Sequence, residues 1–201
     1  MISLRTARQQ TWKRMVSVDQ AILLGVRRWE SALMTRLMLM LTRMGDPAAW
    51  VVVGLTLGAV AGAHYAWLLG TGAGLAVASS QVLKRVTCRP RPTYGMGGFA
   101  ALVAIPDRYS FPSGHTAAAF GVAVALAGQG GGIAFITLVL AFGIAISRVY
   151  LGAHYPLDVA AGVLVGALAG VIARLLVDGG YHLAEFLGYA GLTLMPLGFG
   201  G

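Results

Sequence analysis

Charge is scarce in this sequence. Only 11% of its 201 residues are Asp, Glu, Lys or Arg, and only seven of them are acidic. A soluble domain carries about 25% charged residues, so the chain lacks the polar surface that water requires. Cysteine is rarer still. Cys88 stands alone, which excludes an internal disulfide framework and leaves the redox compartment open. The N-terminal stretch has no uninterrupted apolar core followed by a small-residue cleavage site, so it does not read as a secretory signal.

What is present in abundance is apolar: 57% hydrophobic residues and a mean hydropathy of +0.75. The basic residues exceed the acidic ones, giving a formal net charge of +8. Their distribution excludes a nucleic-acid binder, which needs a soluble basic face. Eight of the fifteen lie before position 45: Arg5, Arg8, Lys13, Arg14, Arg27, Arg28, Arg36 and Arg43. Six more, Lys84, Arg85, Arg89, Arg91, Arg108 and Arg148, lie between apolar runs, and Arg174 is the remaining one.

Residues 1–45 mix apolar and basic positions, as in Trp12, Met15 and Val16 beside Lys13 and Arg14, and predict one or two amphipathic helices on a membrane surface. Gly45, Asp46 and Pro47 mark a break, with Asp46 suited to cap the next helix. No formally charged residue occurs from Pro47 to Leu83, a run of 37 residues. That length predicts two spans of about 18 residues each, joined by a turn near Gly62 to His64. Residues 84–111 form a polar loop. Ser113 to Ser147, broken at Gly128 to Gly132, predicts two more spans, and a fifth starts near Pro156 and ends near Val177. The glycine-rich tail from Asp178 is expected at the membrane interface. The expected fold is therefore an all-α polytopic membrane bundle of about five spans. Its expected units are an amphipathic surface segment (1–45), a transmembrane bundle (46–178) and a tail (179–201). The glycines at 54 and 58, and at 162, 166 and 170, have the spacing of close helix–helix contacts.

Ionisable groups near span ends are costly, and three clusters of them stand out. The first is Lys84 followed after six residues by Arg91 and Pro92. The second is Pro112, Ser113, Gly114 and His115. The third is Ser147 and Arg148, then His154 after five residues, then Asp158 after three more. The topology places Lys84, Arg91 and Arg148 on one face, where guanidinium forks and an ammonium match phosphate oxygens. Ser113 and Gly114 open a helix, whose first backbone N–H groups form an anion site. His154 and Asp158 are one helical turn apart, so the carboxylate is placed to hold one imidazole nitrogen protonated and leave the other free to attack phosphorus. His115 is then the partner that protonates a leaving group and activates water. Alone, each histidine would read as an interfacial side chain and each cation as a topology signal. His64 and His182 lack such companions and keep that reading. Cys88 is left without a role.

At these residues the sequence resembles the type 2 phosphatidic acid phosphatase superfamily, whose pattern K-x6-R-P, P-S-G-H and S-R-x5-H-x3-D appears here in order from Lys84 to Asp158. The resemblance implies a core shared with vanadium haloperoxidases and a membrane phosphatase acting on lipid phosphates. It also implies His154 as nucleophile, Asp158 as its orienting carboxylate and His115 as general acid and base. Lys84, Arg91, Ser113, Gly114 and Arg148 are implied to bind phosphate, without a metal or other cofactor. The substrates it suggests are phosphatidic acid, phosphatidylglycerol phosphate or undecaprenyl pyrophosphate. A phosphotransferase with the same phosphohistidine, or a silent scaffold, are the competing readings. The expected place is a bacterial cytoplasmic membrane. Many bacterial relatives act at its outer face, whereas eight cations on the N-terminal side against one on the other favour an active site in the cytoplasm. No residue pattern specifies an oligomeric state.

Overall fold

A chain that crosses hydrocarbon must satisfy its own backbone N–H and C=O groups, and the apolar runs do so as helices. The computed structural model describes residues 4–189, and the side chains of 16–130 and 132–183. The helices are α1 (Leu4–Arg27), α2 (Ala32–Met44), α3 (Pro47–Ala61), α4 (Ala63–Thr87), α5 (Pro92–Gly95), α6 (Gly114–Ala125, extended by a 3-10 turn Leu126–Gly128), α7 (Gly131–Tyr150) and α8 (Pro156–Tyr189). The described residues contain no strand beyond one isolated antiparallel bridge between Pro90 and Tyr109.

The turns fall where glycine permits them. Gly62, at φ +105°, joins α3 to α4, and Gly130, at φ +102°, leads into α7. Cys88 ends α4 in the left-handed region at φ 47°. Ser31 caps α2 by accepting from the Met34 N–H at 3.2 Å. Asp46 occupies the N-cap position of α3 ahead of Pro47, yet its side chain makes no capping bond. Its carboxylate is used elsewhere.

All five apolar segments expected to cross the bilayer are helical, but they do not all cross alone. Three are long and apolar enough by themselves: Ala63–Thr87, Gly132–Tyr150 and Pro156–Leu183. The apolar helix Gly114–Gly128 is shorter, and α3, with 15 residues, rises only about 22 Å against a hydrocarbon core of about 30 Å. α3 meets the test for a span only together with α2, from which it bends by 60°. The contacts of α2 explain how. Its start lies at the C-terminal end of α7, where the Tyr150 hydroxyl meets Ser31 N at 3.2 Å and Thr35 Oγ1 at 3.1 Å. Its end lies deeper, with Leu41 packed over Gly143. So α2 runs along α7 into the bundle, and α2 and α3 together have the length and composition of one bent span. α8 also continues past Asp178 to Tyr189, through the expected start of the tail; residues 190–201 lie outside the described residues.

The bundle is built around α6, which packs on α8, α4 and α7. Ala117, Ala119, Val122 and Ala125 on it are fully buried. Small residues make that approach close. A Cβ on Gly166 would stand 2.3 Å from the Ala117 carbonyl oxygen, and one on Gly170 2.6 Å from that of Gly121. Large apolar side chains such as Leu55, Phe135 and Leu164 point outward and are exposed, the pattern of a bundle whose solvent is lipid. This packing brings the C-terminal ends of α4 and α7 and the N-terminal ends of α6 and α8 to one face.

Candidate active site

Each of those helix ends delivers one part of the three clusters. Lys84 sits in the last turn of α4, His115 in the first turn of α6, Arg148 in the last turn of α7 and Asp158 in the first turn of α8. Arg91 and His154 come from the intervening loops. Lys84, Arg91, Arg148, His154 and Asp158 are all buried. Three cations gathered in an apolar bundle repel one another unless anions accompany them.

One anion is Asp107, from the polar loop. Its Oδ2 accepts from Lys84 Nζ at 2.8 Å and its Oδ1 from Arg91 Nη2 at 2.6 Å and Nε at 3.0 Å. Burial works to raise the Asp107 pKa, but the bonds from Lys84 and Arg91 outweigh it and hold the carboxyl below its ordinary value. Arg91 Nη1 reaches the Ala153 carbonyl at 2.9 Å and His154 Nε2 at 3.1 Å. Arg148 donates from Nη1 to Thr42 Oγ1 at 2.6 Å, while its buried Nε has no hydrogen-bond partner.

His154 is locked in one tautomer. Its Nδ1 lies 2.7 Å from the Ser110 carbonyl oxygen, which can only accept, so Nδ1 carries the proton and Nε2 presents a lone pair. Burial, then the positive Arg148, Arg91 and Lys84, push its pKa well below the ordinary histidine value, against the opposing pull of the Ser110 bond. The imidazole is therefore neutral near pH 7. Asp158, expected from its spacing to hold Nδ1, is 3.8 Å away and stands behind the Ser110 contact. Its Oδ1 accepts from Arg89 Nη1 at 2.7 Å, and its Oδ2 from the Tyr155 N–H at 2.9 Å.

The helix start at Ser113 also differs from expectation. Its backbone N–H donates to the Asp158 carbonyl at 2.9 Å, and its hydroxyl accepts from Thr116 Oγ1 at 3.0 Å. Ser113 is fully buried behind the cavity wall, and Gly114, not Ser113, lines the cavity. His115 pairs through Nε2 with Asp46 Oδ1 at 2.8 Å. That contact accounts for the missing helix cap at Asp46.

Lys84, Arg91, Gly114, His115, Arg148 and His154 share one cavity of about 740 Å³ with Asp46 and Asp107. From this polar end the cavity runs between α3 and α4, past Trp50, Gly54, Leu69 and Ala73, to Ala66. Lys84 and Ala66 are about 27 Å apart along α4, close to the thickness of a hydrocarbon core. Sequence reasoning had no reason to pick out Asp46, Asp107 and Arg89 as parts of the site. For the two carboxylates the signal was scarcity: with seven acidic residues in the chain, each one near an apolar run needs a partner.

A buried histidine ringed by three cations thus stands at the head of an apolar cavity. Known proteins share this fold. The sequence model of the PAP2 superfamily matches residues 65–179. The chain is 39% identical over 126 residues to decaprenylphosphoryl-5-phosphoribose phosphatase of Mycobacterium tuberculosis, covering 61% of this chain and 68% of that one. Lipid A 1-phosphatase of Rhizobium johnstonii is 43% identical over 94 residues, 44% of this chain and 38% of the relative. Among solved structures, Aquifex aeolicus LpxE superimposes with a TM-score of 0.70 at 26% identity, covering 77% of this chain and 93% of its own. The transmembrane PAP2-type phosphatidylglycerolphosphate phosphatase of Bacillus subtilis gives 0.67 at 26% identity, over 84% and 87%. The fold and site thus define an all-helical membrane phosphatase acting on lipid phosphates. The chain belongs to the PAP2 superfamily.

Proposed function

We propose that the protein hydrolyses a lipid phosphomonoester through a phosphohistidine on His154. The observation that carries this is the tautomer: with Nδ1–H bonded to Ser110, Nε2 is the nitrogen that keeps a lone pair, and at the cavity it accepts from Arg91 Nη1. Nε2 attacks phosphorus, the P–N bond forms and the bond from phosphorus to the lipid oxygen breaks. His115 gives its proton to the departing oxygen. Water then attacks phosphorus, His115 takes a proton from it, and the P–N bond breaks to restore His154 and release phosphate. Lys84, Arg91 and Arg148, with the amides at the start of α6 near Gly114, stabilise the charge on the equatorial oxygens. The phosphate would displace Asp107 from the two cations that it bridges.

The apolar cavity along α4 supports a long-chain lipid whose tail lies between α3 and α4. The Mycobacterium relative, by its name, acts on a polyprenyl-linked sugar phosphate, and this supports a polyprenyl-linked phosphomonoester as the first substrate to test. The assay is phosphate release in detergent with EDTA present, using such a lipid, phosphatidic acid, phosphatidylglycerol phosphate and undecaprenyl pyrophosphate. Release abolished in His154→Ala supports the proposal. Activity undiminished in that variant removes His154 as nucleophile. Phosphohistidine formed without release to water shifts the reading to a phosphotransferase.

The active-site face is proposed to be cytoplasmic. The basic N-terminal region lies on the same face as the catalytic loops, for Arg27 Nη2 donates to the Ala100 carbonyl at 2.9 Å and Asp19 pairs with Arg89. Single cysteines at Gly131 and in the 95–105 loop test this by labelling of intact cells; labelling of the loop from outside overturns it.

A further inference from the structure

α1 lies before residue 65, where the match to the family begins, and none of the three motifs includes any of it. Its exposed face carries Val18 and Ile22 one turn apart, while Asp19 and Leu23, the next stripe round, are buried. A buried aspartate on an amphipathic helix demands a partner, and here it has two. Asp19 Oδ2 pairs with Arg89 Nη2, and Asp19 Oδ1 accepts from the Leu157 backbone N–H at 2.9 Å. Leu157 is in the first turn of α8, whose leading N–H groups have no partner within the helix. Asp19 therefore caps α8 from a different helix.

Arg89 continues the chain of contacts. Its Nη1 bonds Asp158 Oδ1 at 2.7 Å, and its guanidinium lies over the Tyr155 ring at 4.3 Å. Arg89 has a side-chain exposure of 10%, Asp19 of 5% and Asp158 of 0%. One guanidinium thus sits between two buried carboxylates, and the positive end of α8 offsets the excess negative charge. Asp158 has both oxygens engaged on this side, one by Arg89 and one by the Tyr155 N–H, and its Oδ2 is left 3.8 Å from His154 Nδ1.

We propose that Asp19 and Arg89 are positioning residues of the active site, clamping α1 to the turn that carries His154 and Asp158. They touch neither the cavity nor the phosphorus. They hold Asp158 where it faces the imidazole when that ring becomes positively charged in the phosphohistidine step. Loss of the clamp slows the chemical step and leaves phosphate binding to Lys84, Arg91 and Arg148 intact.

The inference rests on the phosphohistidine reading, and its test separates the two. Full-length wild type, Asp19→Asn, Arg89→Gln, Arg89→Lys and the Asp19→Asn/Arg89→Gln double variant are purified in detergent. They are assayed on phosphatidic acid, or on whichever lipid of the panel wild type hydrolyses, with inorganic phosphate as inhibitor. Each of Asp19→Asn and Arg89→Gln is expected to lower kcat by about tenfold or more, with KM and the phosphate inhibition constant within about threefold of wild type. The double variant is expected to fall within about threefold of Arg89→Gln alone, because Asp19 acts through Arg89. Arg89→Lys is expected to recover part of the loss, since a cation returns to the gap. If Arg89→Gln does not accumulate, Arg89→Lys and Asp19→Asn carry the comparison. A kcat near wild type in the single variants overturns the proposal. So does loss of phosphate inhibition in step with kcat, which would make the clamp a matter of folding. Wild type inactive on every lipid would instead strike the phosphohistidine reading itself.

Discussion

His154 Nδ1 lies 2.7 Å from the carbonyl oxygen of Ser110, closer than to Asp158 Oδ2 at 3.8 Å. A main-chain carbonyl therefore sets the tautomer of the proposed nucleophile, and the carboxylate acts at longer range on the charge that develops. In a triad where the carboxylate itself fixes the tautomer, replacing Asp by Asn costs about 10⁴ in kcat. Here Asp158→Asn is expected to cost about 10–100-fold, because the Ser110 contact survives, whereas His154→Ala is expected to remove turnover. Steady-state kinetics of the two variants check this; a loss in Asp158→Asn as large as in His154→Ala assigns the tautomer to Asp158.

The pH dependence follows from the same imidazole. Its pKa is depressed by burial and by Arg148, Arg91 and Lys84, so protonation, which blocks attack, requires a pH below the ordinary histidine value of about 6.5. The neutral form of His154 is therefore fully present at pH 7 and is lost as pH falls through the lowered pKa. The acid limb of kcat/KM is expected below pH ~6.5; a limb at or above that value contradicts the neutral, buried nucleophile.

His115 depends on Asp46, 69 residues away and 2.8 Å from its Nε2. Asp46→Asn keeps the shape and removes the charge that orients the ring, and kcat is expected to fall about tenfold or more. In a His115→Asn background the same change is expected to have little further effect, because the pair acts as a unit. Additive losses would separate Asp46 from the acid–base step.

Asp107 occupies Lys84 and Arg91, the two cations proposed to bind phosphate. Removing its charge in Asp107→Asn is expected to tighten inhibition by inorganic phosphate about three- to tenfold, since an anion no longer has to displace a carboxylate. Weaker phosphate inhibition in this variant would mean that Asp107 holds the two cations in their binding geometry.

The α6–α8 seam predicts a stability effect away from the chemistry. A methyl on Gly166 would meet the Ala117 carbonyl oxygen at 2.3 Å and Phe120 Cβ at 2.9 Å, both on a packed helix. Gly166→Ala is expected to destabilise the bundle by about 1–3 kcal/mol. Gly74→Ala, where a Cβ meets nothing within 4 Å, serves as the control. Thermal unfolding in detergent compares them, and equal midpoints would deny the seam its close packing.

By itself, the sequence determined that this chain is helical and lives in a bilayer, because uncharged runs of that length have no other soluble or membrane solution open to them. It also determined which residues carry cations and imidazoles to one face, since the order of apolar runs dictates on which side each loop emerges. The pairing of His154 with Asp158 was legible because they are four residues apart across the start of α8. Only the tertiary structure decided the rest. That Ser110 holds His154, that Asp46 turns to His115 and not to its own helix, that Asp107 bridges Lys84 and Arg91, and that Asp19 caps a helix 138 residues away are contacts between elements. Likewise, α2 packs along α7 and meets α3 at a 60° bend, so that the two short helices together have the length of one bent span. Helical periodicity reports neighbours three or four residues apart, whereas these partners meet only after α6 has drawn α4, α7 and α8 around it. In an interior this apolar, each buried charge is satisfied by whichever partner the packing brings within reach.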